Sequence, residues 1–142
     1  MREILFRGKR TDNGEWIDGS LLKVTINGKT YYLIFRDNFS FFGDDVKALS
    51  HAIVDPQTVG QYTGMKDKDG KRIFEGDIID CWSEGVNAKG TVKQRIDGLW
   101  IIYPAWQNCI MWGICPDKSG NTTVEVIGNI YDNPEMRKEG AE

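Results

Sequence analysis

The sequence has no apolar run near the roughly 18 residues a membrane-spanning helix needs, and no charged-then-apolar leader at its start. A soluble, unexported protein of a bacterial cytoplasm, with no membrane partner, is therefore expected. It has three cysteines, Cys81, Cys109 and Cys115, an odd number without CxxC spacing. That argues against both a disulfide framework and a structural zinc site, and fits a reducing compartment. A single histidine, His51, has no cysteine or serine motif beside it, which speaks against a general base there. Positive charge is not in excess: the net charge is −3. Wholesale nucleic-acid binding is disfavoured, while a local basic patch stays open. No nucleophile elbow, Walker loop or dinucleotide fingerprint occurs, and no metal quartet or kinase signature. Internal repeats and low-complexity segments are also missing.

What the chain does have is glycine, 16 in 142 residues, much of it in turn dipeptides. With 40% hydrophobic and 11% aromatic residues, that composition describes many short strands around a core. The densest turn chemistry is QYTGMKDKDGKRIFEGDIIDCW, residues 61–82. Asp69-Gly70 supplies the left-handed position of a tight reversal, and Asp67 and Asp69 can bond their own backbone there. Ile73 and Phe74 close the hairpin. Glu75-Gly76-Asp77 then interrupts the ladder before the apolar strand Ile78–Trp82. A calcium loop with Gly70 at its sixth position would begin at Met65 and end at Gly76, neither able to ligate. Gly70, Gly76 and Asp77 are thus read as architectural turn residues. Glu75, Asp77 and Asp80 are close enough in sequence to suggest acid–base chemistry, but a turn accounts for their positions.

Taken in order, residues 3–18 read as a hairpin turning at Thr11–Gly14, and Gly19 ends it. Asn27-Gly28 gives a two-residue hairpin that pairs Ile26 with Lys29, Val24 with Tyr31 and Leu22 with Leu33. Leu22, Val24, Ile26, Tyr31, Leu33 and Phe35 then share a face expected to be core. Residues 36–60 are least legible: Phe39, Phe41 and Phe42 sit in an aperiodic loop, Asp44–His51 suits a helical turn or two, and Val54–Val59 is extended around Pro56. Ser83–Lys89 reads as a polar loop. Asp97-Gly98 is a second two-residue signal, pairing Ile96 with Leu99, Gln94 with Ile101 and Val92 with Tyr103. Val92, Ile96, Leu99, Ile101 and Tyr103 would share one face. Trp100 would then stand across from Arg95 on the other, as a cation–π pair, a base-stacking platform or a covered sheet edge. Asn133-Pro134 starts a short C-terminal helical turn.

The expected fold is mostly β: small barrel-like antiparallel sheets built from hairpins, with Gly76 and Gly90 easing the corners. Residues 1–142 would form a single domain with an N-terminal β lobe over about 1–60, a barrel-like lobe over about 61–133 and a charged tail over 134–142.

Three segments resemble the YopX family of phage and prophage proteins. They are Met1–Gly8 (MREILFRG), Val59–Asp67 (VGQYTGMKD) continuing to Phe74–Ile78 (FEGDI), and Val126–Glu135 (VIGNIYDNPE). The order is that of the family and the span nearly the whole chain, whereas residues 20–55 and 83–123 match little. The resemblance implies a small, mostly-β protein of bacterial viruses or mobile elements. It implies no established activity, cofactor or catalytic residue, and the residues themselves suggest no metal site.

These readings converge on a non-enzymatic accessory protein that assembles with itself or binds a host or phage protein. Its candidate surface is Trp106, Met111 and Trp112, an apolar run long for a loop, together with Arg95 and Trp100. The alternative is a nucleic-acid-associated regulatory factor using Lys93, Arg95, Trp100 and the Lys66–Arg72 loop.

Overall fold

Asn27 and Gly28 both adopt the left-handed conformation, with φ of 51° and 79°, the backbone of the tightest hairpin loop. The computed structural model, which describes residues 3–36, 49–83, 86–103 and 112–136, places strands on either side of that turn. They pair Ile26 with Lys29, Val24 with Tyr31 and Leu22 with Leu33, in the register the dipeptide dictates. The chain is mostly β and antiparallel throughout its ladders. It divides into two compact units, Met1–Gln61 and Tyr62–Glu142.

The first unit contains β1 (Phe6–Lys9), β2 (Trp16–Ile26), β3 (Lys29–Phe35) and β4 (Ile53–Val54), in spatial order β4-β3-β2-β1. The first residues of β5 (Gly60–Lys66) pair with β1. Gly19 does not end the first hairpin, as expected, but lies inside the 11-residue β2. There the strand passes from pairing with β1 to pairing with β3. Only glycine fits: φ is 155°, and a Cβ would stand 2.0 Å from the carbonyl oxygen of Phe35. Residues 56–58 are not extended but form a 3-10 turn. Asp55 itself is extended, its carboxylate accepts the Gln57 N–H, and Pro56 takes the first helical position, an arrangement that needs no lost backbone donor.

In the second unit β5 and β6 (Arg72–Phe74) form the expected hairpin, with Gly70 at φ 82°. β7 (Asp77–Ser83), β8 (Val86–Gln94), β9 (Trp100–Tyr103), β10 (Trp112–Gly113) and β11 (Glu125–Asn129) make a sheet in order β10-β9-β8-β7-β11. This sheet is open, not a barrel. Closure would need β11 to pair with β10, and β11 is instead hydrogen-bonded to β7 with a bulge between Val126 and Gly128. Met65 of β5 and Ile73 of β6 join Ile79, Cys81, Val92, Trp100 and Ile102 in one buried cluster, so a packed hairpin covers the sheet where curling would have done so. Ser83–Lys89 is not a loop: β7 and β8 pair down to Ser83 and Val86. The C-terminal helical turn is one 3-10 turn, Pro134–Met136. The Asn133 carboxamide accepts the Asn129 N–H behind it, instead of capping forward into a helix.

The β8–β9 hairpin departs from expectation by one residue. Gln94 pairs with Trp100, Lys93 with Ile101 and Val92 with Ile102. Arg95 N–H donates to the Leu99 carbonyl, and Gly98 N–H to the Arg95 carbonyl. The loop is therefore the three residues Ile96-Asp97-Gly98, with Gly98 alone left-handed at φ 92°, a type I turn closed by a glycine bulge. A one-residue slip sends every side chain of one strand to the other face. Trp100 and Ile102 are accordingly buried, while Ile96 and Leu99 are exposed.

Candidate interaction surface

The β2–β3 arm presents two chemically different faces. Strand alternation places Lys23, Thr25, Thr30 and Tyr32 on one of them. There the Thr25 and Thr30 hydroxyls lie 3.0 Å apart and the Lys23 ammonium stands 6.0 Å from the Tyr32 ring centre. The other face carries Leu22, Val24, Ile26, Tyr31, Leu33 and Phe35 and, with Leu49 and Ile53, bounds a concavity of about 350 Å³. Leu33 is buried, but Leu22 is 47% and Ile26 55% exposed, so this face is not the closed core expected of it. Among the described residues no charged side chain lines it. The Lys29 ammonium reaches its rim, 5.3 Å from the Tyr31 ring.

A second polar feature lies on β1 and β2. Arg7 and Lys9, two residues apart and so on one face, stand 4.7 Å and 5.5 Å from the Trp16 ring centre. Near the β1–β2 turn, Arg10 donates to both Asp12 carboxylate oxygens at 2.9 Å and 2.6 Å, and His51 Nδ1 lies 2.7 Å from Asp12 Oδ2. Hydrogen bonds from Arg10, then from His51, hold the Asp12 carboxyl down to about 2. The same Nδ1 is 2.9 Å from an Arg10 nitrogen, and one imidazole nitrogen cannot donate to Asp12 and accept from Arg10 at once. The tautomer selects which contact is a hydrogen bond.

Of the residues singled out from sequence, Arg95 and Trp100 do not stand opposite each other. Trp100 is 7% exposed and faces Gln94, not Arg95. Arg95 forms an ion pair with Asp97 at 3.0 Å across the turn. Trp112 lies on β10 opposite Ile102, and Trp106 and Met111 fall outside the described residues. Lys93 stands 5.4 Å from the Tyr103 ring. Gly76 has φ 92°. Asp77 is buried and accepts the Phe74 N–H at 2.8 Å. Asp77 and Asp80, three apart on the regular strand β7, point to opposite faces of the sheet and cannot share a proton. Among the described residues no group of three or more His, Cys, Asp or Glu is placed to hold a metal ion, and no helix is long and apolar enough to cross a membrane.

Sequence reasoning expected Asp67 to bond the backbone of its own turn, as it does, but missed its tie to β11. Its Oδ1 accepts the N–H groups of Asp69 and Lys71 at 2.9 Å each, and its Oδ2 accepts that of Val126 at 3.2 Å. Burial pushes its pKa up, but the three backbone donors outweigh that and hold it below the usual carboxylate range. Asp117 repeats the loop: its Oδ1 accepts from Ser119 and Asn121, as its main chain bonds Asn121 and Gly120. The signal was present as Asp-Lys-x-Gly at 67–70 and again at 117–120. The two loops lie side by side, joined by Lys66 N–H to the Gly120 carbonyl at 2.8 Å and Lys68 N–H to the Val124 carbonyl at 2.8 Å.

No curated protein matches the chain. Among solved structures, protein EF1440 from Enterococcus faecalis aligns with 97% of this chain and 100% of its own, at 19% identity and a TM-score of 0.45. Residues 5–137 match the family model described as YopX protein. That match takes in all the described strands of both units, and the chain belongs to the YopX family.

Proposed function

We propose that the protein is a non-enzymatic interaction module of the bacterial cytoplasm, serving a phage or prophage, and that the apolar face of the β2–β3 arm receives its partner. The observation that carries this is the exposure of Leu22 and Ile26 on a concave face whose described lining residues carry no charge. An isolated exposed leucine means little, but a contiguous apolar concavity on a soluble domain is characteristic of a binding surface. The divergence of Asp77 and Asp80 supports the non-enzymatic part of the reading. The nucleic-acid alternative loses its stacking platform with Trp100 in the core.

The test is affinity capture of a tagged copy from phage-infected cells, run in parallel with Leu22→Ser/Ile26→Ser. The wild type should retain a host or phage protein, or an untagged copy, that the double variant loses while keeping its circular dichroism and melting temperature. Retention of the same partner by a folded double variant refutes the assignment. Binding to mixed DNA and RNA fragments should show no dependence on salt, since a nucleic-acid factor would show the negative slope of counterion release.

A further inference from the structure

The β2–β3 arm has an edge as well as a face. Among the described residues β1 pairs with β2 only over Trp16–Gly19, and nothing pairs with the same side of β2 from Leu22 to Ile26. The two left-handed residues Asn27 and Gly28 make Ile26 and Lys29 the hydrogen-bonded pair that closes the turn. Alternation then directs the main-chain groups of Leu22, Val24 and Ile26 toward β3, and those of Lys23 and Thr25 outward. Other edges are blunted. β4 and β10 are two residues long and β6 three, and β11 is bulged with its Val126 N–H bound by Asp67. The free stretch of β2 has no proline, no bulge and one charge, Lys23. Such an edge is a template for another strand.

From this edge we infer that two copies of the chain join β2 to β2 in an antiparallel pair about a two-fold axis through Val24. The inference rests on the interaction-module reading and names a second copy as occupant. Charge and register select that occupant. Centring the axis on Val24 uses all five residues and sets Lys23 opposite the partner's Thr25, so no like charges meet. Leu22 then faces the partner's Ile26, and Val24 faces the partner's Val24. Centring on Lys23 would place two ammonium groups opposite each other. Centring on Thr25 would run the ladder into the left-handed Asn27. A two-fold axis perpendicular to the sheet keeps the apolar faces of both arms on the same side, so pairing would double the surface offered to any further partner.

Sedimentation equilibrium over a concentration series tests this, with two sets of variants. Thr25→Pro removes an outward N–H while leaving the β2–β3 main-chain bonds intact, and should weaken the dimer at least tenfold. In a background with Cys109 and Cys115 changed to Ser, Val24→Cys should cross-link two copies under mild oxidation. Directly opposed residues that are not hydrogen-bonded to each other have the Cα separation a disulfide accepts. Lys23→Cys, displaced by two residues in this register, should not cross-link. The remaining thiol, Cys81, is buried and its pKa is pushed up to about 11, first by burial and then by the Asp80 charge. Should Thr25→Pro fail to fold, the contrast between the two cysteine variants decides alone. A wild type that is monomeric at high micromolar concentration overturns the inference, as does a dimer indifferent to Thr25→Pro or one cross-linked equally well from both sites. If such a monomer still loses its captured partner in Leu22→Ser/Ile26→Ser, the edge pairing falls and the module reading stands.

Discussion

Replacing Asp67 by asparagine separates the two tasks its carboxylate performs. Oδ1 caps the 67–71 turn through the Asp69 and Lys71 N–H groups, and Oδ2 ties that turn to β11 through Val126. Asparagine keeps one acceptor and turns the other oxygen into a donor. With its oxygen serving the turn, its NH2 group meets the Val126 N–H, donor against donor. A partly buried amide then loses a charge-assisted bond, a change of about 2 kcal/mol. Asp67→Ala also uncaps the turn, but the exposed Asp69 and Lys71 amides can turn to water, so the total should be about 3 kcal/mol. For a chain of this size, 2 kcal/mol lowers the melting temperature by roughly 4–8 °C. The folded-state pKa of Asp67 is depressed, so its contribution is complete above the unfolded value, about 3.9. It is lost as pH falls through the folded value. Urea unfolding of wild type and Asp67→Asn at pH 7 and at steps below 4 should therefore show a gap that narrows with acid. A gap under about 0.5 kcal/mol at neutral pH, within the range of an ordinary surface change, or one that widens with acid, would refute the reasoning.

Three further outcomes follow from geometry. Gly76→Ala forces a side chain into φ 92° with its Cβ 3.0 Å from Tyr131 Cε2, and should cost about 2 kcal/mol in chemical unfolding. Trp100→Ala should cost about 3–5 kcal/mol, whereas Trp100→Phe, which removes a buried indole N–H with no acceptor among the described residues, should cost less than half as much. Thiol labelling followed by mass spectrometry at pH 8 should modify exposed Cys115 promptly, and Cys81 only under conditions that unfold the protein, because burial both shields Cys81 and keeps it protonated.

The two hairpins show how much of the fold was legible. Asn-Gly tolerates two consecutive left-handed residues, so the sequence at 27–28 sets loop length and register together. Asp97 does not take that conformation. Its carboxylate accepts the Leu99 N–H at 3.2 Å, Gly98 alone is left-handed, and the loop gains a residue. A warning lay in the side chains: the two-residue loop placed Ile96 in the core and Trp100 outside, leaving the larger aromatic surface in water. At 83–89 composition hid a visible period, because Asn87 and Lys89 are exposed while Ala88 and Gly90 are buried, a half-buried strand in plain alternation. Gly19 was misread because its cause is non-local, a close approach to Phe35 that no short-range pattern contains. The candidate surface was half legible. The apolar face of the arm follows from register, but its exposure depends on what covers it, which periodicity does not encode.

The adjoining Asp67 and Asp117 loops bear on how the chain reaches its fold during synthesis. The 67–71 turn is closed by bonds within five residues and can form as soon as it is made. The ties from Asp67 to Val126 and from the adjoining Lys66 to Thr122 span 59 and 56 positions, so they must await the segment that supplies them and bear the entropy of closing that long loop. At ribosomal rates of roughly 5–20 residues per second, the Met65–Ile73 hairpin exists for several seconds before β11 arrives. The second unit should therefore fold late and slowly for its size, with the apolar side of that early hairpin exposed to chaperones in the interval.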